Sequence, residues 1–207
     1  ELTFLSSAVN KNLINGNEKL SINTTTHIKE LLEKTQNEYL DKVKLIDNTN
    51  NILTDKAPLN FRYIGFIKFL FPNSKIVHCK RDVIETSWSN YKNYFPGSLS
   101  FTNDLKDIAN YYKMYEDIMS FWYEQFKDNI YDITYETLVK DPTNQIKKLI
   151  NACDLKWDEN CLKHENNSRS IKTASATQAR KPIYNTALKV SENYIKYLDE
   201  LTKNLKN

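Results

Sequence analysis

The stretch TDKAPLNFRYIGFIKFLFPNSKIVHCKRDVIETSWSNYKNY, Thr54 to Tyr94, decides the fold. A short strand at Ile52-Leu53 leads into Asp55-Lys56. An apolar helix spans Phe61 to Phe71 and is stopped by Pro72. Lys75 to Cys79 reads as a second strand, apolar and β-branched at Ile76-Val77, as in a strand covered on both faces. It ends in Arg81-Asp82, and a helix from Val83 to Phe95 carries Ser89 two turns in. Open α/β sheets bind ligands beyond the carboxyl ends of their strands. Lys56 and Arg81 stand at two such ends. Asp82 can cap the helix, whose N-terminus attracts negative charge. Arg81 supplies a planar fork that matches a phosphate, and Ser89 adds a hydroxyl. The pattern marks a candidate anion site and leaves open a plain surface ion pair at Arg81-Asp82.

Outward from this stretch the elements alternate. Residues Glu1 to Thr26 are polar and weakly patterned. From His27 to Ile46, Ile28, Leu31, Leu32, Tyr39, Leu40, Val43 and Ile46 recur at helical spacing, with Thr26 a candidate cap. Asp47 to Asn51 is a turn. Asp104 to Phe126 is a long amphipathic helix whose stripe of Leu105, Ile108, Tyr112, Tyr115, Met119 and Trp122 reads as core. Ile130 to Thr134 is a strand, and Asp141-Pro142 opens a helix to about Cys153 in the preferred cap-then-proline order. Glu165 to Thr177 reads as a polar loop, and Ala187 to Leu205 as a terminal helix.

Composition bounds the function. The 207 residues suit one domain, 1–207, with an ordinary apolar fraction of 40%. A net charge of +3 is too balanced for a general nucleic-acid binder. Cys79, Cys153 and Cys161 fit no zinc spacing and read as buried free thiols in a reducing compartment. His27, His78 and His164 are isolated, so no metal is expected. No apolar run reaches membrane length.

Four ordered motifs resemble those of the PAPS-dependent sulfotransferases, in particular the bacterial TPR-linked and tyrosylprotein types. They are Asp55-Lys56-Ala57-Pro58-Leu59-Asn60-Phe61; Phe71-Pro72 followed by His78-Cys79-Lys80-Arg81-Asp82 and Ser89; Tyr135-Glu136-Thr137-Leu138-Val139-Lys140-Asp141-Pro142; and Thr173-Ala174-Ser175 followed by Gln178-Ala179-Arg180-Lys181-Pro182-Ile183-Tyr184. The resemblance covers the chain from about Asn51 to the end. It implies a three-layer α/β/α domain with a parallel sheet, P-loop-NTPase-like. The family's P-R-S-G-T-T loop for the 5′-phosphosulfate does not occur among these residues, so the N-terminal βα unit is expected to be absent, with Glu1-Leu2 a remnant of the G-E pair that follows it. A chain lacking that loop is expected to be inactive in isolation, because orientation of the reacting sulfur is what makes transfer fast.

The resemblance also implies roles. Glu1 is the base, Lys56 the cation at the bridging oxygen, and Ser175 a stabilising hydroxyl. Arg81 and Ser89 hold the 3′-phosphate of PAPS, with Tyr135, Ser175, Gln178, Arg180 and Lys181 bordering the nucleotide. The implied function is transfer of a sulfuryl group from PAPS to a hydroxyl or amine of a small-molecule, glycan or peptide acceptor, without a metal. The alternative is a non-catalytic, decayed relative that keeps the fold. A bacterial cytoplasmic location is expected, with a Golgi lumen the alternative. Three positions depart from the pattern. Val83 stands where proline is usual, Asn93 where tyrosylprotein relatives carry arginine, and Val190-Ser191 where a basic residue and Trp are usual.

Overall fold

The computed structural model describes residues 2–14, 25–50, 52–95, 99–167, 177, 180–183 and 188–206. It is mostly helical with a small parallel sheet, the α/β class expected of a sulfotransferase domain. The chain divides into two compact units, Glu1–Ser74 and Lys75–Asn207.

The first unit is helical. Helix α1, Phe4–Val9, runs directly into a π-helical turn at Asn10–Ile14. Leu5, Val9 and Leu13 recur every fourth residue and are all buried. This start of the chain, expected to be weakly patterned, is therefore a core element. Helix α2, Thr25–Lys44, turns Tyr39 and Val43 into the same cluster as Leu5, Tyr63 and Leu70. Thr26 falls inside α2 rather than ahead of it. A 3-10 turn, Pro58–Tyr63, leads into helix α3, Ile64–Leu70, which ends before Pro72. Glu38 of α2 accepts from Lys11, Asn12 and Lys42, and the hydrogen bond from Lys11 leads in holding its carboxyl down at about 2. Asp47 closes the expected turn by accepting from Thr49 and Asn50.

The expected strand at Ile52-Leu53 does not form. Both residues are exposed, at 63% and 44%, and no strand pairs with them among the described residues. A strand that short forms only where a neighbour completes its hydrogen bonds.

The second unit holds the sheet. Strands β1, Ile76–Lys80, and β2, Ile130–Thr134, pair in parallel, with Ile76 opposite Ile130 and Lys80 opposite Thr134. Burial in β1 alternates: Ile76, His78 and Lys80 face inward, while Val77 and Cys79 are exposed. The expectation of cover on both faces is corrected here, as is that of buried thiols, since Cys79 is exposed and Cys153 and Cys161 are half-buried. Helix α4, Val83–Tyr91, ends short of the expected Phe95 and is capped by Asp82, whose Oδ1 accepts from Glu85 N at 2.9 Å. Helix α5, Leu105–Phe126, is capped by Asp104 in the same way, through Lys106 N and Asp107 N. A short helix α6, Tyr135–Lys140, precedes α7, Pro142–Ala152, which has Asp141 as cap and Pro142 in first place.

The expected helix over 187–205 breaks in two. A 3-10 segment, Val190–Tyr197, is followed by helix α8, Asp199–Lys206. Lys189 has left-handed φ of 61°, and Leu198 leaves the helical region at φ −103°, ψ 16°. Leu198 at the break and Leu201 in α8, 1% and 0% exposed, both pack on Ile108 and Ala109 of α5. No helix among the described residues is long and apolar enough to cross a membrane.

Candidate functional site

The parallel register places the site. Lys80 pairs with Thr134, so the next residues on each strand, Arg81 and Tyr135, leave the sheet side by side. The Arg81 guanidinium lies over the Tyr135 ring at 5.0 Å from its centroid, a stacking that suits a delocalised cation. Arg81 Nη2 also meets Glu85 Oε2 at 3.4 Å, and the Arg81 side chain keeps 28% of its surface exposed. Ser89 follows Arg81 by eight residues and Glu85 by four, on the same face of α4. The head of α4 is not bare. Asp82 caps it, and the Asp82 backbone N–H donates to Glu136 Oε1 at 3.0 Å.

Lys56 belongs to the first unit. It is exposed on the extended segment before Pro58. Its neighbour Asp55 anchors that segment by accepting from Tyr39 Oη at 3.0 Å, and burial pushes both the Asp55 carboxyl and the Tyr39 phenol up. Arg180 and Lys181 are exposed, and the Lys181 carbonyl accepts from His164 Nε2 at 3.0 Å. Glu1, Ser175 and Gln178 lie outside the described residues. The structure thus brings Arg81 and Tyr135 together, and Ser89 lies on α4, the helix that follows Arg81. Glu85 and Glu136 were missed in sequence. The i, i+4 spacing of Arg81 and Glu85 is the signal that could have found the first of them.

Behind the strand ends sits a polar cluster. His78 Nδ1 is 2.7 Å from Tyr123 Oη, and His78 Nε2 is 2.5 Å from Tyr115 Oη. Tyr123 donates its one hydrogen to Asp132 Oδ1 in a short contact. Its oxygen must therefore accept from His78 Nδ1–H, which leaves Nε2 to accept from Tyr115. Lys80 Nζ donates to Asp132 Oδ2 at 2.5 Å. Burial pushes Asp132 up, but the hydrogen bonds from Lys80 and Tyr123 outweigh it and leave the carboxyl below the usual range. Burial lowers His78, and the nearby Asp132 charge does not cancel that effect. The ring is thus held neutral, and the sign follows. Folding stability from this cluster is complete above the ordinary histidine value of about 6.5 and is lost as pH falls below it toward the lower folded value. Denaturant midpoints between pH 7.5 and 5 should therefore fall more steeply with acid in the wild type than in His78→Gln, by up to a single proton. Parallel slopes would show that His78 titrates normally.

A hollow of about 260 Å³ lies at the opposite, amino ends of the strands, lined by Lys75, Ile76, Asp128, Ile130, Ala152 and Cys153. Open α/β sheets place ligands at the other end, so the Arg81 end is the stronger candidate. Among the described residues no three or more His, Cys, Asp and Glu side chains are grouped to hold a metal ion.

Comparison with known proteins agrees with this geometry. A family model described as "Sulfotransferase family" matches residues 9–159. The match therefore begins well ahead of Asn51 and takes in β1, β2 and the Arg81–Tyr135 pair. A protein of Aquifex aeolicus (strain VF5), named only "Uncharacterized protein", is 35% identical over 171 residues, which cover 81% of this chain and 22% of that relative. The chain thus spans about a fifth of the length of the curated relative it matches. With its strand-end arginine, its parallel strands and a family match over most of its length, the chain belongs to the sulfotransferase family.

Proposed function

We propose that the protein transfers a sulfuryl group from PAPS to a hydroxyl or amine acceptor, and that within the family it stands with the TPR-linked and tyrosylprotein types. The observation that carries the reading is the Arg81–Tyr135 pair at the carboxyl ends of two parallel strands, with Ser89 on the following helix. A partly exposed guanidinium steadied on a ring fits a phosphate monoester, because its planar fork can donate two parallel hydrogen bonds. In this reading Arg81 and Ser89 take the 3′-phosphate. Tyr135, with Ser175, Gln178, Arg180 and Lys181, borders the nucleotide.

PAPS supplies the activated sulfuryl group. The acceptor oxygen or nitrogen forms a bond to sulfur while the bond from sulfur to the bridging oxygen breaks. Glu1 takes the acceptor's proton. Lys56 meets the negative charge left on the bridging oxygen, and Ser175 adds a hydroxyl donor. Transfer of this kind depends on in-line positioning and charge stabilisation more than on covalent help from the protein, by analogy with phosphoryl transfer. The acceptor is a small molecule, a glycan or a peptide.

Arg81→Ala tests the nucleotide half of the reading. In the full-length protein it should weaken binding of adenosine 3′,5′-bisphosphate by about ten- to a hundredfold, the worth of a charge-assisted hydrogen bond. Binding of AMP, which lacks the 3′-phosphate, should change little. Calorimetric titration of both ligands decides it, and equal losses would make Arg81 a structural residue. Tight binding without any transfer would favour the decayed, non-catalytic relative.

A further inference from the structure

Glu85 is 6% exposed, on α4 one turn after Arg81 and one turn before Ser89. A buried carboxylate is costly unless its oxygens are satisfied, and here both are engaged. Oε2 faces Arg81 Nη2 at 3.4 Å. Oε1 accepts twice from one residue, from Ser191 N at 2.8 Å and Ser191 Oγ at 2.5 Å. Ser191 is itself 4% exposed and lies in the 3-10 segment Val190–Tyr197. Tyr194 of that segment stacks on Trp88 of α4, with centroids 4.4 Å apart. One carboxylate therefore ties a distant chain segment to Arg81 and to the helix that follows it. Arg81 is held between this carboxylate and the Tyr135 ring.

We infer that Glu85 is a positioning residue: it fixes the orientation of the Arg81 fork toward the 3′-phosphate and couples that orientation to the docking of residues 190–197. The inference rests on the reading that Arg81 holds that phosphate. Two physical effects of Glu85 oppose each other. Its negative charge repels an incoming phosphate, while its bond to Arg81 prearranges the donor. Prearrangement dominates here, because the carboxylate charge is already spent on Arg81 and on two donors from Ser191.

Glu85→Gln separates the two effects. The amide oxygen still accepts from Ser191, but an NH2 group now faces the guanidinium. Ser191→Ala removes one bond on the other side and leaves the backbone N–H, so it tests the same coupling if the Glu85 variant fails to fold. Adenosine 3′,5′-bisphosphate and AMP are titrated calorimetrically into the full-length wild type, Arg81→Ala, Glu85→Gln and Ser191→Ala. The preference for the 3′-phosphorylated ligand should fall about tenfold in Glu85→Gln and about threefold in Ser191→Ala, as expected within one coupled network. AMP affinity should stay within about twofold, which a general loss of structure would not allow. A preference that stays the same or rises in both variants, while Arg81→Ala abolishes it, overturns the inference alone. A wild type that binds both ligands equally overturns the nucleotide reading itself and this inference with it.

Discussion

If the proposed reading holds, replacing Lys56 by alanine in the full-length protein should lower kcat for sulfuryl transfer by about a hundred- to a thousandfold, the usual cost of removing one charge-stabilising donor from a transition state. Affinity for adenosine 3′,5′-bisphosphate should stay near the wild-type value, because in the proposed reading Lys56 meets charge that develops only as the bridging bond breaks. Lys56 is exposed on a segment anchored by its neighbour Asp55 through the Asp55–Tyr39 bond, so its truncation should leave the packing of the first unit intact. Steady-state kinetics with PAPS, paired with ligand titration, separates the outcomes. A kcat within about twofold of wild type would make Lys56 a solvated surface lysine with no part in the reaction.

Leu201→Ala is the largest expected loss of stability. Leu201 is fully buried on α5 against Ile108, Ala109 and Leu198. Deleting its isobutyl group removes apolar burial and leaves a cavity, at a cost of about 2–5 kcal/mol. Leu45→Ala is the matched control. Leu45 is 87% exposed, so the same change there should stay within about 0.5 kcal/mol. Denaturant unfolding of the two variants compares them directly. Equal stabilities would mean that α8 does not dock on α5 as described.

What could be read from the chain was local. Strand β2 lies at Ile130–Thr134 as expected, and α7 opens at Asp141-Pro142, because cap, proline and β-branched run are all neighbours in sequence. Strand β1 starts one residue later than expected, within the ordinary slack of element ends. Arg81 and Tyr135 each follow a strand legible from its own residues, and the parallel register that sets them side by side is seen only in the fold. The failures are of two kinds. Short elements lacked a signal of their own: α1 has no side-chain cap, and Ile52-Leu53 reads as a strand but has no described partner. Long-range polar contacts left no trace in spacing. Glu85 and Ser191 are 106 residues apart, and nothing near Ser191 marks it as the partner of a buried carboxylate. Residues 187–205 read as one terminal helix. In the fold the segment changes at Leu198 from a 3-10 segment to an α-helix, a change that residue spacing does not announce.

The most direct test of sulfuryl transfer is the fate of PAPS itself. The full-length protein is incubated with radiolabelled PAPS and a panel of phenols, sugars, amines and tyrosine peptides, and the nucleotide and the labelled sulfate are followed together. The account predicts release of adenosine 3′,5′-bisphosphate in equal amount to label on an acceptor, with both falling together in Lys56→Ala and Arg81→Ala. PAPS that is bound yet never converted, or nucleotide release with the label appearing only as free sulfate whatever the acceptor, would contradict it.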